Sequence, residues 1–219
     1  IRYGQVKKTV DEGIESGSLS PMLVIMPGAG NSYYVNQYQG NYPYEDMFFL
    51  ELIPQMEKAY RTYGKKQGRA ICGLSMGGFG AILYSMKHPG MFISCAALSP
   101  SLRTDQNLMN MEKERYDSWF RKLYGGGSYG EERITAHWRS NNPHALATRI
   151  PSDTLNSVDF YIDMGDDDYL YEGAERFHIL LRDLDIKHEY RVRDGRHEWS
   201  YWRTGLPAAL TFINQHFIR

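Results

Sequence analysis

The sequence predicts a single α/β domain, with a mostly parallel β-sheet and helices on both of its faces. Short apolar runs, typical of buried strands, alternate with segments whose apolar residues recur at helical spacing. The chain has 219 residues, a length at which folds of this class commonly remain one domain. It contains no internal repeat, low-complexity tract or linker-like stretch. We therefore expect residues 1–219 to form one domain.

The first half of the chain predicts two helices and two strands. Residues 5–16 place Val, Val and Ile at every fourth position, which indicates an amphipathic helix. The apolar run MLVIM at 22–26 predicts a buried strand, and a long polar loop rich in Tyr and Asn follows it. Residues 47–64 are expected to form a helix that is kinked or restarted at Pro54, and 69–74 a second strand.

The second half continues the alternation and contains one long insertion. Residues 101–147 form a polar excursion that includes YGGGSYG and several helix-like pieces, and we expect it to be a cap or lid. The remaining predicted elements are helices at 77–88, 171–184 and 206–217 and strands at 91–100, 158–165 and 187–195.

Composition argues against several classes of partner. The chain carries 25 basic and 26 acidic residues in a scattered distribution, so it has no electrostatic footprint for nucleic acid or an anionic membrane. No apolar run approaches the roughly 20 residues of a membrane span, and the first residues do not form an apolar signal segment. We find no metal-ligand cluster and no phosphate-cradling Gly loop, and therefore expect no metal and no cofactor.

Cysteine and tyrosine usage add two expectations. Cys72 and Cys95 each lie in an apolar run that predicts a buried strand, so we expect free, buried thiols rather than a disulfide or a nucleophile. The chain also has 17 Tyr, enough for some of them to line a groove for sugars or aromatic rings.

A serine between glycines is the strongest functional signal. Residues 73–77, Gly-Leu-Ser-Met-Gly, fit G-x-S-x-G, in which a tight turn between a strand and a helix lifts the serine hydroxyl above the carboxyl edge of a sheet. The predicted strand at 69–74 and helix at 77–88 supply that context. We therefore expect Ser75 to be a nucleophile, the alternative being a Gly-rich turn without a catalytic role.

Such a serine needs a histidine to take its proton and a carboxylate to orient that histidine. In hydrolases with this motif the acid and then the histidine follow the serine, each in a loop after a later strand. Of the seven histidines, His197 alone lies in a loop just past the final predicted strand. The loop after 158–165 offers Asp166, Asp167 and Asp168, of which we expect at most one to be catalytic.

Together these motifs resemble the esterase D-like branch of the α/β-hydrolases, which includes feruloyl and acetyl-xylan esterases, S-formylglutathione hydrolases, tributyrin esterases and mycolyltransferases. The similarity spans nearly the whole chain and is best for the feruloyl-esterase-like group of bacterial carbohydrate esterases. The matching segments are VIMPGAGNSYYVN, ELIPQMEKAYRTYGKKQGRAICGLSMGGFGA, GDDDYLYEG and GRHEWSYWR.

The resemblance implies a triad of Ser75, Asp168 and His197. Its pattern of Gly, two variable residues, Asp and an aromatic residue selects Asp168, which precedes Tyr169. The Met76 N–H, from the residue after the nucleophile, is then one oxyanion donor.

The implied activity is that of a serine esterase for feruloyl or acetyl esters of plant polysaccharide or related small esters. A secreted or periplasmic location would fit a carbohydrate esterase, although the sequence itself leaves the compartment open. Two alternatives are an S-formylglutathione hydrolase-like thioesterase and a catalytically silent carbohydrate-binding relic.

Four aromatic residues are weaker candidates for the wall of a substrate groove. Tyr33 and Tyr34 follow the predicted strand at 22–26, and Trp199 and Trp202 lie close to His197. Packing around the active-site loops explains these residues equally well.

The chain departs from the family at its front. The family places a strand ending in a His-Gly loop directly before the helix predicted at 5–16, and that loop supplies the second oxyanion donor. The absent strand would lie between 22–26 and 69–74, and each buried backbone group left unpaired costs roughly 1 to 3 kcal/mol. We therefore expect the α/β-hydrolase domain of residues 1–219 to lack N-terminal strands. Natural residues outside this sequence, or a second chain such as a homo-oligomer partner, would supply one.

Overall fold

A single parallel sheet forms the centre of the fold. The computed structural model describes residues 3–217. Within that range four strands lie in the order β1-β2-β3-β4, and every neighbouring pair is parallel. The strands are β1 at Ala70–Leu74, β2 at Ser94–Leu98, β3 at Asp159–Gly165 and β4 at His188–Arg193. The predicted α/β class with a parallel sheet is therefore confirmed.

Helices connect and cover these strands. Some of the helices and strands are joined by short turns of other helix types. These are π-type turns at Met47–Leu52 and Tyr116–Phe120 and 3-10 turns at Lys66–Gly68 and Gly130–Arg133. The α-helices of the described range are α1 Val6–Glu15, α2 Tyr44–Asp46, α3 Ile53–Ala59, α4 Met76–Lys87, α5 Asp105–Met109, α6 Lys113–Arg115, α7 Arg121–Tyr124, α8 Ala136–Ser140, α9 Pro143–Ala147, α10 Ser152–Leu155, α11 Tyr171–Asp183 and α12 Trp199–His216.

The hydrophobic core lies on both faces of the sheet. In β2, Cys95 and Ala97 pack in the cluster that contains α4 and α11, whereas Ala96 and Leu98 pack in the cluster that contains α12. Successive side chains of a strand point to opposite faces, so one fully buried strand supplies both clusters. α1 covers α12 from outside through Val10. Helices thus cover both faces, as the alternation of strands and helices predicts.

The prediction of a buried strand at 22–26 is wrong. Residues 21–29 have no regular secondary structure, and the side chains from Leu23 to Met26 are between 39% and 48% exposed. An apolar run forms a strand only where a neighbouring strand pairs with its backbone, and none of the described strands lies beside this segment.

An unfilled groove separates this segment from the sheet. Within residues 3–217, β1 pairs with β2 alone, so its second edge carries free backbone N–H and C=O groups. A cavity of about 770 Å³ lies along that edge, between it and segment 20–27. Its walls include Met22, Met26, Ile71 and Cys72. Cys72 is consequently exposed, contrary to the prediction, whereas Cys95 is buried, and both thiols are free.

The helix predicted over 47–64 is displaced and shortened. It begins with α2, continues through the π-type turn and ends with α3 at Ala59, after which Tyr60 is extended. Pro54 lies inside this continuous helical run, directly after the π-type turn, so the predicted break at Pro54 takes the form of a change from π to α geometry.

The excursion at 101–147 folds into short, well-packed helices. Arg133 lies at its centre and donates hydrogen bonds to the backbone oxygens of Ser128, Leu108 and Met111. Trp138 is buried and donates from Nε1 to Asp105 at 2.7 Å. α9 packs against α4 and α11, so this segment belongs to the folded body of the molecule. No helix between residues 3 and 217 has both the length and the apolar character needed to cross a membrane.

Candidate active site

Ser75 lies at a sharp turn between β1 and α4. β1 ends at Leu74 and α4 begins at Met76, so Ser75 is the one residue between them. Its φ of 53° is in the left-handed region, which residues other than glycine rarely adopt. The Ser75 N–H donates to the Leu98 carbonyl at 2.9 Å and ties the turn to β2. The turn therefore holds the serine at the carboxyl edge of the sheet.

Two glycines allow this turn to close. A Cβ on Gly73 would lie 2.2 Å from the carbonyl carbon and oxygen of Gly77. A Cβ on Gly78 would lie 3.1 Å from the Cα of Pro100. Because these neighbours are backbone atoms, they cannot give way without moving the turn itself. The small residues on both sides of the serine are thus required by the close approach of β1, α4 and the loop after β2.

In the structure, two consecutive hydrogen bonds connect the side chains of Ser75, His197 and Asp168. Ser75 Oγ lies 2.8 Å from His197 Nε2, and His197 Nδ1 lies 2.7 Å from Asp168 Oδ2. The tautomer that satisfies both contacts carries its proton on Nδ1 and directs the Nε2 lone pair at the serine hydroxyl. In this arrangement His197 can accept the serine proton, and the carboxylate can stabilise the imidazolium that results.

The Asp168 carboxyl group is buried yet held in its ionised form. Burial by itself raises the pKa of Asp168, but hydrogen bonds from His197 and from the Leu170 N–H outweigh it and bring the pKa below its usual value. The Leu170 N–H lies 2.9 Å from Oδ1, so each carboxylate oxygen has a partner. A carboxylate fixed in this way can orient a neighbouring imidazole at neutral pH.

The other two aspartates of this loop have different partners. Asp166 Oδ1 accepts a hydrogen bond from the Gly195 N–H at 3.0 Å, which joins the loop of Asp168 to the loop of His197. Asp167 is exposed and lies 3.6 Å from Arg196. The structure thus separates three adjacent carboxylates that the residue pattern alone left equivalent.

A buried network that sequence reasoning missed supports the two loops. Asp163, near the end of β3, is fully buried and faces Arg193, the last residue of β4. The hydroxyl group of Tyr201 on α12 also donates to Asp163, at 2.6 Å. The sequence did contain a signal for this network, because an acidic residue lies inside the apolar strand VDFYIDMG. A buried carboxylate needs a cation or several hydrogen-bond donors as partners.

The four predicted groove aromatics lie in different places. Trp202 packs edge-on against the His197 ring at 4.8 Å, and Trp199 packs against Trp202 at 5.2 Å. The Tyr33 hydroxyl lies 3.3 Å from Ser101 Oγ, in the loop after β2. Tyr34 packs against α4 and the rings of the core.

Tyr169, the aromatic residue after Asp168, also contacts His197. Its ring lies 4.9 Å from the His197 ring and is exposed. His197 is therefore flanked by aromatic rings from the acid loop and from α12.

The backbone N–H of Met76 is available at the start of α4. Among residues 3–217 it has no hydrogen-bond partner, while Phe79 and Ser101 donate to the Ser75 carbonyl. An N–H at the first turn of a 12-residue helix attracts negative charge, so this group is suited to an anionic oxygen beside Ser75.

The remaining histidines are engaged elsewhere. His88 pairs with Glu45, and His178 contacts His188. The others bond to backbone carbonyls or, for His216, to Asp159. Within the described residues, no group of three or more His, Cys, Asp or Glu side chains is placed to hold a metal ion.

The family model described as "Putative esterase" matches residues 2–213 of the chain. The chain belongs to this family. The match covers both the Ser75 turn and the loops that carry Asp168 and His197.

Known proteins that resemble the chain are named as esterases or related hydrolases. An esterase from Mycobacterium tuberculosis is 28% identical over 195 residues, which are 81% of this chain and 42% of the relative. An S-formylglutathione hydrolase from Mus musculus is 26% identical over 197 residues, covering 86% of this chain and 61% of the relative. A solved ferulic acid esterase is 32% identical with a TM-score of 0.80, and the match covers 99% of this chain and 79% of that one. The chain thus spans less than half the length of the M. tuberculosis relative and most of the ferulic acid esterase, whose α/β-hydrolase fold it shares.

Proposed function

We propose that this chain hydrolyses carboxylic esters with Ser75 as nucleophile, His197 as base and Asp168 as the carboxylate that orients the base. The observation that carries the proposal is the continuous row of two hydrogen bonds, 2.8 and 2.7 Å long, from the serine hydroxyl to the buried carboxylate. Membership of an esterase family supports the same reaction.

The reaction proceeds by acyl transfer in two steps. His197 takes the Ser75 proton as Oγ attacks the ester carbonyl, and the Met76 N–H donates to the developing oxyanion. The alcohol then leaves with the proton held by His197. In the second step the same base activates water, which releases the acid and restores Ser75.

The substrates we propose are feruloyl or acetyl esters of plant polysaccharide, or related small esters. The 32% identity with a ferulic acid esterase over nearly the whole chain supports this class. A thioesterase acting on S-formylglutathione is the second candidate, favoured by the similarity to a hydrolase with that name. A silent carbohydrate-binding protein remains the alternative outside enzymes.

A fluorophosphonate probe tests the proposed nucleophile. We expect one adduct on the peptide that contains Ser75, detected by mass spectrometry, and none in Ser75→Ala. Ser152→Ala, on α10, is the matched control and should label like the parent. A folded protein that takes no label would favour the silent alternative, and a Ser75→Ala variant with parental hydrolysis would remove Ser75 from the mechanism.

A substrate panel separates the two enzymatic candidates. Methyl ferulate, acetylated xylan, p-nitrophenyl acetate and S-formylglutathione are compared by kcat/KM. Turnover of the feruloyl or acetylated substrates supports the carbohydrate-esterase proposal. Turnover of S-formylglutathione without the other natural esters supports the thioesterase.

We also propose that a further β-strand fills the groove beside β1. The unpaired edge of β1 faces a cavity of about 770 Å³, and a further strand would pair with that edge at the usual spacing of about 4.8 Å. The strand would come from polypeptide outside residues 1–219 or from a second copy, and the loop after it would carry a second oxyanion donor. Without that donor, turnover should be lower by about a hundredfold or more.

Light scattering distinguishes these sources together with hydrogen exchange at the β1 amides that face the groove, which are the ones that β2 does not pair. A dimer of residues 1–219 with protected amides in β1 supports a second copy. A monomer whose β1 amides become protected only in a longer natural polypeptide supports a strand from outside this sequence. A monomer with fully protected β1 amides would contradict the proposal.

Residues 101–147 are proposed to act as a lid within this one domain. Hydrogen exchange before and after fluorophosphonate labelling tests the role. Slower exchange confined to this segment is expected on labelling, and unchanged exchange would mean that the segment only completes the core.

A further inference from the structure

Arg103 is a buried cation without a carboxylate partner. It is 9% exposed, and no Asp or Glu oxygen of residues 3–217 forms an ion pair with it. Nη1 donates to the carbonyl oxygen and the hydroxyl of Ser101, at 3.2 and 2.7 Å. Nε and Nη2 have no hydrogen-bond partner in that part of the chain. One complete side of the guanidinium fork is therefore unused.

Arg133 shows how the same fold satisfies an arginine whose role is structural. It is 1% exposed, and its Nε, Nη1 and Nη2 all donate to backbone carbonyl oxygens. Burying a guanidinium group is costly unless its donors find acceptors. Nε and Nη2 of Arg103, in contrast, are not among the fully buried unpaired atoms of the described residues, so this side of the guanidinium group reaches solvent and is accessible to an acceptor from outside the chain.

Two aromatic rings hold Arg103 in place without supplying that acceptor. Its Cζ lies 4.9 Å from the Phe120 ring centroid and 5.9 Å from that of Tyr33. The π faces attract the cation, but they offer no lone pair to Nε or Nη2. The rings restrict the side chain, which lowers the entropy lost when a ligand binds.

Arg103 lines a pocket of about 300 Å³, a size that suits one ring or a small sugar. Asn107 and Tyr169 also line it. Its remaining charges are Arg115, Glu112 and Glu172. The Glu172 carboxylate already accepts hydrogen bonds from Asn107 and Arg176, so its charge is compensated.

The pocket adjoins the candidate active site on the side of His197. Tyr169, which forms part of its wall, contacts the His197 ring. Ser101, the partner of Arg103, donates its N–H to the Ser75 carbonyl at 3.0 Å. Because His197 delivers its proton to the departing alcohol, a group next to that ring receives the alcohol part of the substrate.

We propose that Arg103 binds a carboxylate on the alcohol part of the substrate, through two parallel hydrogen bonds from Nε and Nη2. This inference rests on the proposed ester hydrolysis and specifies its substrate class as esters whose leaving group is an anion. A carboxylate matches the free fork of the guanidinium in both charge and geometry.

Two phenyl esters that differ in one charge test the proposal. Hydrolysis of 4-acetoxybenzoate would give acetate and 4-hydroxybenzoate, and methyl 4-acetoxybenzoate is the neutral counterpart. We expect kcat/KM for the carboxylate ester to exceed that for the methyl ester by about tenfold or more, since hydrogen bonds between charged groups are the stronger class. Equal values for both esters would overturn the role of Arg103, and no hydrolysis of either would instead count against the proposed function.

Substitutions assign the preference to one residue. Arg103→Gln should lower kcat/KM for the carboxylate ester at least tenfold more than for the methyl ester. In Arg103→Lys the preference for the carboxylate ester should be intermediate between that of Arg103→Gln and that of the parent, because lysine keeps the charge but lacks the fork. Arg139→Gln, which removes an exposed arginine of the same excursion, is the matched control. Equal losses on both esters, or loss of the preference in Arg115→Gln alone, would contradict the proposal.

Product inhibition tests the unaltered protein, so the result does not depend on how an Arg103 variant folds. 4-Hydroxybenzoate should compete with the neutral ester at a Ki about tenfold below that of methyl 4-hydroxybenzoate. A Ki that is the same for the two compounds would show that the pocket does not recognise the carboxylate.

Discussion

Arg193 donates from Nε and Nη2 to the two carboxylate oxygens of Asp163, at 2.9 and 2.8 Å, and so joins the carboxyl ends of β3 and β4. The loops that follow these two strands carry Asp168 and His197. Two tyrosine hydroxyls complete the surroundings of the buried carboxylate. An ion pair that touches neither Asp168 nor His197 thus links the two strands whose loops carry them.

Asp163→Asn should destabilise the protein and reduce turnover. Removing one charge of a buried pair leaves the other without compensation, and we expect the free energy of unfolding to fall by about 3 kcal/mol. Tyr201→Phe removes a single hydrogen bond to the same carboxylate and should cost about 1 kcal/mol. Urea unfolding measures both values. A loss below 1 kcal/mol in Asp163→Asn would mean that the pair does not hold the two strands.

Asp168→Asn should abolish most activity without unfolding the protein. The amide can donate to Nδ1 and so favours the wrong tautomer of His197, for which we expect kcat to fall by about 10⁴. Asp167→Asn is the control because the Asp167 carboxylate is exposed, and its kcat should stay within about twofold. If Asp168→Asn keeps more than a tenth of the parental kcat, the carboxylate does not orient the base.

The stability of the protein should fall in mild acid because of His144. Burial lowers the pKa of His144 from 6.5 to about 4, so the ring stays neutral in the folded state while the unfolded chain takes up a proton. The unfolded state therefore binds more protons between pH 6.5 and pH 4, and stability present above pH 6.5 is lost as the pH falls towards 4. The loss amounts to about 3 kcal/mol.

Urea unfolding at pH 7, 5.5 and 4 measures this dependence. In His144→Gln the difference in unfolding free energy between pH 7 and pH 4 should shrink by about 3 kcal/mol, although the variant is less stable at pH 7. An unchanged difference would show that the ring titrates alike in the folded and unfolded states.

Gly73→Ala should damage the turn that carries Ser75. The new Cβ would lie 2.2 Å from the backbone of Gly77, so β1 and α4 must separate. We expect a loss of about 2 kcal/mol in unfolding free energy, together with reduced turnover. Gly90→Ala meets nothing within 4 Å and should stay within about 0.5 kcal/mol of the parent. Similar values for the two variants would contradict the tight packing of the turn.

Local patterns were sufficient for much of the fold. The strands β1 to β4 and the helices α4 and α11 lie where apolar runs and helical spacing place them. α12 also contains its predicted segment, but it begins at Trp199, seven residues before the predicted start at 206. The run at 22–26 carries an equally apolar pattern but is not a strand, because pairing depends on a neighbour that local sequence does not encode. The same limitation explains why Cys72 is exposed although its run resembles that of Cys95.

Local sequence likewise predicted some features of the candidate site and not others. The Ser75 turn follows from glycines that are adjacent in sequence, and chain order alone pointed to His197. Residues 166–168 are three identical side chains in a row, which residue type alone does not distinguish; the family pattern pointed to Asp168, and Asp168 is the one that contacts His197. Arg103 carries no sequence signal that separates it from the other arginines.

By itself the sequence determined the alternation of strands and helices, the tight turn at Ser75 and the order in which serine, acid and histidine occur. These properties follow from residue type and spacing within short segments. Only the tertiary structure showed the contact between Asp168 and His197, the link that Asp163 and Arg193 form between two strands, and the free side of Arg103. Such properties depend on distances between residues far apart in the chain, and burial then sets how strongly each charge needs its partner.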